Sequence, residues 1–215
     1  MRSTSRNRSK VRPWMITLGL AIVVIVVAAF NVKVVSLDEA AQGAADVFDP
    51  ATFAEEHYAT EIVPQIESDA TDLATLVTAL DGGADEADYG NTSGAASAFA
   101  FPVTFTAVAG ELKAPILALQ VDGIADDITV QLQVGPALSG TALRDVTGTI
   151  DFNNFTNQLE YQNVATELNN QVKATVLADL DPASLSGKTL TITGAYLRVN
   201  PKLISVVPVK IVVAP

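Results

Sequence analysis

The hydrophobic pattern begins with an uninterrupted apolar run, WMITLGLAIVVIVVAAF, which extends from Trp14 to Phe30 and contains no charged residue. An α-helix rises about 1.5 Å per residue, so this run can just cross a hydrocarbon core of about 30 Å. The pattern therefore predicts a transmembrane anchor over residues 14–32. A cleaved signal peptide is the alternative, because residues 27–29 are small and lie near the end of the run. The run is long for a signal peptide, which favours the anchor.

A helical pattern follows the apolar run after a short interval. Asp49-Pro50 is typical of a helix start, with Asp as the N-cap and Pro at the first helical position. Apolar residues then recur at helical spacing as far as Leu80, which predicts two helices separated near Pro64. We expect these helices to form a small sub-domain over 48–81. Residues 82–98 are rich in Gly, Ala, Ser and acidic residues and predict a flexible linker.

From residue 99 onward the helical period gives way to alternation of apolar and polar residues, which is typical of half-buried strands. Strands are predicted at about 101–109, 116–121, 128–134, 146–152, 190–196 and 206–213. Between the fourth and fifth strands, apolar residues at about every fourth position predict a helix from near Gln158 to Asp179. Pro208 in the last strand predicts an edge position or a bulge, because proline cannot donate to the strand ladder.

The order of these elements predicts the fold. Several strands, one helix and a closing pair of strands is close to the order of a small Greek-key barrel of the oligonucleotide/oligosaccharide-binding (OB) kind. The predicted fold class is mainly β with α: an OB-like barrel over 99–215 with a helix between strands, preceded by the helical sub-domain and the transmembrane helix. A plain β-sandwich is the alternative, although it accommodates an inserted helix less easily.

The charged residues are distributed unevenly along the chain. Five of the 13 basic residues precede Trp14, and all 24 acidic residues follow Ser36. Basic residues before an apolar run keep that end in the cytoplasm, so residues 1–13 are predicted to be cytoplasmic and the body to be periplasmic or cell-surface. A body this acidic repels nucleic acid, which argues against a nucleic-acid partner despite the OB-like pattern.

The sequence contains no cysteine and one histidine, His57. The missing cysteine excludes disulfides, cysteine metal sites, thiol nucleophiles and a lipid-modified N-terminal cysteine. No nucleophile lies near His57 in the sequence, so we interpret it as a partly buried helix residue. We expect no metal, no cofactor and no catalysis.

Motifs throughout the exported part resemble those of a known family. They are VVSLD at 34–38, TALRD at 141–145, TGTI at 147–150, FTNQLEYQ at 155–162, NPK at 200–202 and PVK at 208–210. This set resembles the DUF2291 family of predicted periplasmic lipoproteins. The resemblance implies an exported, membrane-attached protein with an OB-type barrel, often encoded beside sugar ABC transporters, without an established activity. Because cysteine is missing, the transmembrane anchor would replace the lipid.

Candidate ligand contacts lie at the junction between the fourth predicted strand and the helix. Side-chain amides offer hydrogen-bond donors and acceptors and aromatic faces can stack on a pyranose, so this composition suits a neutral sugar. The candidate ligand-binding residues are Asn154, Phe155, Asn157, Gln158, Tyr161 and Arg144. The favoured alternative is structural: the amides cap the helix, the aromatic rings close the barrel, and Arg144 pairs with Asp145.

These observations predict a non-catalytic, membrane-anchored binding or accessory module, whose candidate partners are ABC transporter subunits or a neutral sugar. A structural or assembly protein of the cell envelope, which docks another protein, is the first alternative. A carbohydrate-active enzyme ranks lower, because no pair of carboxylates stands out at a helix or strand end.

Overall fold

The structure is a computed structural model that describes residues 48–93 and 98–214. The predicted cytoplasmic segment 1–13 and the predicted transmembrane segment 14–32 lie outside the described residues. Among the residues that are described, no helix has both the length and the apolar character needed to cross a bilayer.

Six strands form one hydrogen-bonded sheet. They are β1 (Thr71–Asp72), β2 (Ala100–Lys113), β3 (Ile116–Gln120), β4 (Thr129–Gln133), β5 (Thr189–Leu197) and β6 (Leu203–Val213). β2 pairs with β3, β3 with β4, and β5 with both β6 and β2, all antiparallel, whereas β4 and β6 are parallel. The ladder β2-β3-β4-β6-β5 thus returns to β2, and β1 pairs in parallel with β2. The prediction of a mainly β fold with helices is confirmed.

The helical section between Pro50 and Asp81 breaks at a different place from the one predicted. α1 (Pro50–His57), a π-helical segment (Tyr58–Ile62) and α2 (Val63–Asp69) follow one another without a gap, and α3 is Leu73–Asp81. The π segment ends two residues before Pro64, whose missing N–H and ring disturb the regular hydrogen-bond ladder. The chain therefore stays helical through Pro64 and breaks at β1.

Two hydrophobic clusters share the strands. One includes alternate residues of β2, from Phe101 to Ala109, together with residues of β3 to β6 and Leu73 and Leu76 of α3. The other joins the opposite face of β2, β5 and β6 to the helices through Ala54, Ile66, Leu143, Leu168, Val172 and Val207. The second cluster thus packs the helices against the strands within the described residues.

The segment predicted as a flexible linker has defined contacts over 82–93. Glu86 begins a 3-10 helix (Glu86–Asp88) and pairs with Arg198. Asn91 and Ala100 exchange two backbone hydrogen bonds, of 3.0 and 2.7 Å. A Cβ atom on Gly90 would lie 2.4 Å from the carbonyl oxygen of Ala100, so this glycine allows close packing. The absence of a side chain at Gly90 thus lets this segment pack closely against β2.

The strand predicted over 146–152 is wrong. α4 (Ala142–Asp145) comes first, the chain turns at Gly148, where φ is +68°, and a 3-10 helix follows at Phe152–Asn154. The carbonyl oxygens of Val146 and Thr147 accept hydrogen bonds from side-chain amides, those of Asn91 at 2.7 Å and Gln65 at 3.0 Å. These amides take the place of a neighbouring strand, so the short alternation does not lead to a ladder.

The remaining strand and helix predictions agree with the structure apart from their ends. α5 (Gln158–Thr175) begins where predicted and ends before Asp179, because the backbone N–H groups of Val176 and Leu177 both turn back to the carbonyl of Val172. The register of β5 and β6 shifts at the pair Gly194 and Pro208. The bulge predicted from Pro208 is confirmed.

Candidate functional site

A cleft of about 430 Å³ lies between the first helical section and the loop that leads to α5. This volume falls within the range of small-molecule sites, about 300–1,000 Å³. The lining residues are Phe48, Phe53, His57, Glu61, Ile62, Gln65, Thr147, Thr149, Ile150, Asn154 and Phe155. The cleft therefore combines an aromatic part with a polar part.

Three phenylalanine rings form the aromatic part. The centroid of Phe48 lies 5.1 Å from that of Phe155 and 5.7 Å from that of Phe53, and Phe53 and Phe155 are 6.2 Å apart. The contacts of Phe155 with Phe48 and Phe53 are edge-to-face, an arrangement that aromatic rings prefer. The imidazole of His57 lies over Phe53 with 4.3 Å between centroids and 30° between planes. Phe48, Phe53 and Phe155 thus pack into one continuous apolar surface, which we call the aromatic wall.

The polar part is held by hydrogen bonds between the two segments that form the cleft. Gln65 Nε2 donates to the carbonyl oxygen of Thr147 at 3.0 Å, and this contact joins α2 to the loop across 82 positions of sequence. The hydroxyl of Thr149 donates to Thr147 Oγ1 at 3.0 Å. His57 Nδ1 lies 3.0 Å from Glu61 Oε2. Contacts within the protein therefore hold the polar groups of the cleft in position without a ligand. They are an amide, a hydroxyl, an imidazole and a carboxylate.

The π segment determines which residues of the first helical section face the cleft. His57 directly precedes this segment, while Glu61 and Ile62 lie within its wide turn. Single π-helical turns inside α-helices occur frequently at functional sites, since they change the direction of the side chains before them. Here the turn lies beside the polar side of the cleft.

The structure brings two of the six candidate residues into the cleft. Asn154 is exposed and Phe155 is half-buried, and both line it. Tyr161 lies behind the wall, with its ring centroid 5.3 Å from that of Phe155, and burial raises the pKa of its hydroxyl. Tyr161 therefore supports the aromatic wall and does not line the cleft.

Arg144 lies behind Tyr161 and is buried. Its Nε donates to Asp145 Oδ1 at 2.7 Å, and its Nη1 donates to the carbonyl oxygen of Tyr161 at 3.3 Å. Its Cζ lies 3.7 Å from the centroid of the Tyr161 ring. These contacts engage the guanidinium inside the protein, which agrees with the structural alternative for this residue.

Asn157 and Gln158 lie at the start of α5 and are not among the lining residues. Asn157 is the N-cap, and its Oδ1 accepts from the backbone N–H of Glu160 at 3.0 Å. Glu160 Oε2 accepts from the backbone N–H of Thr156, the residue before the N-cap, at 3.0 Å. Gln158 is exposed at the first helical position. The side-chain amide of Asn157 therefore stabilises the start of α5.

Sequence reasoning missed much of the cleft. The interpretation of His57 as a partly buried helix residue is confirmed, but neither His57 nor Glu61 is among the candidate residues. The spacing of Phe53, His57 and Glu61, four residues apart in each step, places an aromatic ring, an imidazole and a carboxylate on one helical face. That spacing is a usable signal, although it does not indicate which loop lies opposite.

Comparisons with known proteins support the family resemblance and the fold. The family described as predicted periplasmic lipoprotein (DUF2291) matches residues 21–212. A solved structure of an OB-fold protein from Thermotoga maritima MSB8 is similar, with 18% identity and a TM-score of 0.64 over 79% of this chain and 100% of the other. At this identity the similarity shows the fold alone. The search of curated proteins found no match.

Proposed function

We propose that this chain, which belongs to the DUF2291 family of predicted periplasmic lipoproteins, is a non-catalytic extracytoplasmic binding protein with an accessory role in transport. The observation that carries the proposal is the cleft of about 430 Å³ with its aromatic wall and its preformed polar side. Concave sites with apolar walls and a few fixed polar groups are typical of small-molecule binding.

The proposed place of action is the outer side of the cytoplasmic membrane. The family description supports export, and the apolar run over 14–32 with its preceding basic residues supports a single-pass anchor whose N-terminus is cytoplasmic. This sequence contains no cysteine for lipid attachment. In this proposal the anchor keeps the cleft near the membrane, where ABC transporter subunits are the proposed partners.

The proposed ligand is a sugar of monosaccharide size that carries no acidic group. Phe53 and Phe155 offer apolar surface to the carbon face of a sugar ring, while Thr149 and Asn154 offer hydrogen-bonding groups to its hydroxyls. Lys and Arg do not occur among the described residues that line the cleft, so a phosphate or carboxylate of a ligand would find no cation there. Sugar acids and sugar phosphates are therefore disfavoured.

We propose a function without catalysis because too few carboxylates line the cleft. Glycoside hydrolysis in most families needs two carboxyl groups that flank the scissile bond. Among the described residues that line the cleft, Glu61 alone carries a carboxylate. Binding without chemistry is the simpler function for such a site.

Titration of the detergent-solubilised full chain with pentoses and hexoses tests the proposal. A ligand present at 100 times its Kd stabilises the folded state by about 2.7 kcal/mol, which a thermal shift detects. Asn154→Ala should weaken the shift because Asn154 lines the cleft, whereas Asn153→Ala should leave it unchanged because Asn153 is exposed outside it. A flat response across the panel contradicts sugar binding.

A second candidate function, docking of another envelope protein, is supported by two exposed apolar side chains. Phe152 is 43% exposed and Leu159 is 66% exposed, and both lie at the junction that leads into α5. In this alternative Leu159→Asp would prevent capture of the partner without changing a sugar-dependent thermal shift. Crosslinking in intact cells tests which proteins are captured: transporter subunits support the accessory role, whereas other envelope proteins alone support docking.

A further inference from the structure

The charge of the cleft narrows the ligand class further. Glu61 and its partner His57 are the only ionisable side chains among the described residues that line the cleft. The nearest buried cation described above, Arg144, is already paired with Asp145 behind Tyr161. The negative charge that Glu61 brings is therefore not offset by a lysine or arginine of the lining.

Glu61 is placed to meet a ligand at the opening of the cleft. Its side chain is 66% exposed, and its Oε2 lies 3.0 Å from His57 Nδ1. The imidazole contacts only this one oxygen of the carboxylate. Oε1 of Glu61 has no hydrogen-bond partner in the described part of the chain, so one carboxylate oxygen is open to a donor.

The aromatic wall, like Glu61, favours a positively charged group on the ligand. The face of an aromatic ring carries negative potential, and cations within about 6 Å of a ring centroid are attracted to it. Phe48, Phe53 and Phe155 supply three such rings beside the carboxylate. Aromatic rings next to a carboxylate with one free oxygen are a combination that recognises an ammonium group better than a hydroxyl.

We infer that the cleft selects an amino sugar, whose protonated amine pairs with Glu61 and whose ring lies against the phenylalanine wall. This inference rests on the proposed function, since it assigns the substrate class of the same site. A hexosamine differs from its parent hexose by one group, in which a protonated amine takes the place of a hydroxyl. Charge-assisted hydrogen bonds are about twice as strong as neutral ones, and a tenfold difference in affinity is the expected scale.

Calorimetric titration of the detergent-solubilised full chain at pH 7 tests the inference with matched ligands. The pairs are glucose with glucosamine and galactose with galactosamine, and N-acetylglucosamine controls for the size of the nitrogen substituent. The amine should bind about tenfold more tightly than its parent hexose, and N-acetylglucosamine should show no such gain. The preference should decrease as salt is added, because the carboxylate is exposed.

Two glutamate variants separate a role of Glu61 from a general effect of the acidic body. Glu61→Gln keeps the shape of the side chain and should abolish the preference for the amine, so that the hexosamine and its parent hexose bind with about equal affinity. Glu56→Gln is the matched control. Glu56 belongs to the same helical section but does not line the cleft, so this variant should keep the tenfold preference. Equal binding of hexose and hexosamine, or a preference that Glu61→Gln does not reduce, overturns the inference while sugar binding stands. Binding of neither class overturns the proposed function itself.

Discussion

The guanidinium of Arg144 lies 3.7 Å from the centroid of the Tyr161 ring, and both residues are buried. The same guanidinium donates to Asp145, whose other carboxylate oxygen accepts from the hydroxyl of Thr141 at 2.6 Å. The buried ion pair lies within α4, and the guanidinium joins α4 to α5 through the ring and the carbonyl oxygen of Tyr161. Tyr161 in turn supports Phe155, so this contact connects the core to the wall of the cleft.

Replacement of Arg144 with alanine should destabilise the fold strongly. The variant leaves the carboxylate of Asp145 buried without its cation, and removing one partner of a buried pair costs about 3–5 kcal/mol. Urea unfolding followed by circular dichroism measures the loss. The double variant Arg144→Met with Asp145→Asn should lose less than the single variant, because it leaves no buried charge. Equal losses would show that the ion pair is not the reason.

Replacement of Asn157 with alanine should weaken the start of α5. The side chain of Asn157 accepts from the N–H of Glu160, and loss of such a cap costs about 1 kcal/mol. Asn157→Ser keeps an acceptor without placing a second carboxylate beside Glu160 and should be nearly neutral, as should Gln158→Ala at the next, exposed position. The midpoint of urea unfolding distinguishes the three variants. Loss of sugar binding by folded Asn157→Ala protein would return this residue to the binding site.

Replacement of Gly148 with alanine should cost more than replacement of Gly187. Both glycines have positive φ, +68° and +78°, which costs a residue with a Cβ about 1–2 kcal/mol. At Gly148 the added Cβ would also lie 2.8 Å from Asn91 Oδ1, whereas at Gly187 nothing lies within 4 Å. Displacement of Asn91 would break its hydrogen bond to Val146, for a further cost of about 1–3 kcal/mol. Comparable unfolding midpoints for the two variants would contradict this explanation.

Stability should decrease in alkali, and Tyr196 should be a main cause. Burial raises the pKa of the Tyr196 hydroxyl above its ordinary value of about 10. A group with a raised pKa in the folded state contributes stability that is present below the unfolded pKa and lost as the pH rises above it. Thermal unfolding between pH 8 and pH 11 should therefore show a decline above about pH 10.

Tyr196→Phe tests the assignment of this alkaline decline. The variant has no hydroxyl to ionise at this position, so its unfolding temperature should fall less steeply above pH 10 than that of the natural chain. Some decline should persist, because burial also raises the pKa of Tyr58 and Tyr161. Identical slopes for the variant and the natural chain would show that Tyr196 is not responsible.

The sequence predicted the elements that local patterns encode. Alternation over Phe101 to Ala109 indicated β2, and the four-residue recurrence from Gln158 indicated α5. The pattern failed at 146–152 because the partners of those carbonyl groups are side chains far away in sequence, Asn91 and Gln65. A hydrogen bond of this kind leaves no periodic trace, since it depends on one residue at each end.

The candidate site was predictable in part for a related reason. Asparagine both caps helices and binds ligands, so composition alone did not separate Asn157, which caps α5, from Asn154, which lines the cleft. His57 and Glu61 belong to the other wall, and their relation to the loop exists only in three dimensions. Pairing between distant segments is thus the information that local reasoning lacked for both the fold and the site.

The π segment makes the cleft sensitive to a change of one residue in chain length. Deletion of one residue within Tyr58–Ile62 would restore regular α-helical geometry and turn α1 by about 100° relative to α2. Phe53 and His57 would leave the cleft, the buried residues Ala54 and Tyr58 would turn with them, and Ile66 would stay in the core. The number of residues in this turn thus determines which side chains of α1 face the cleft.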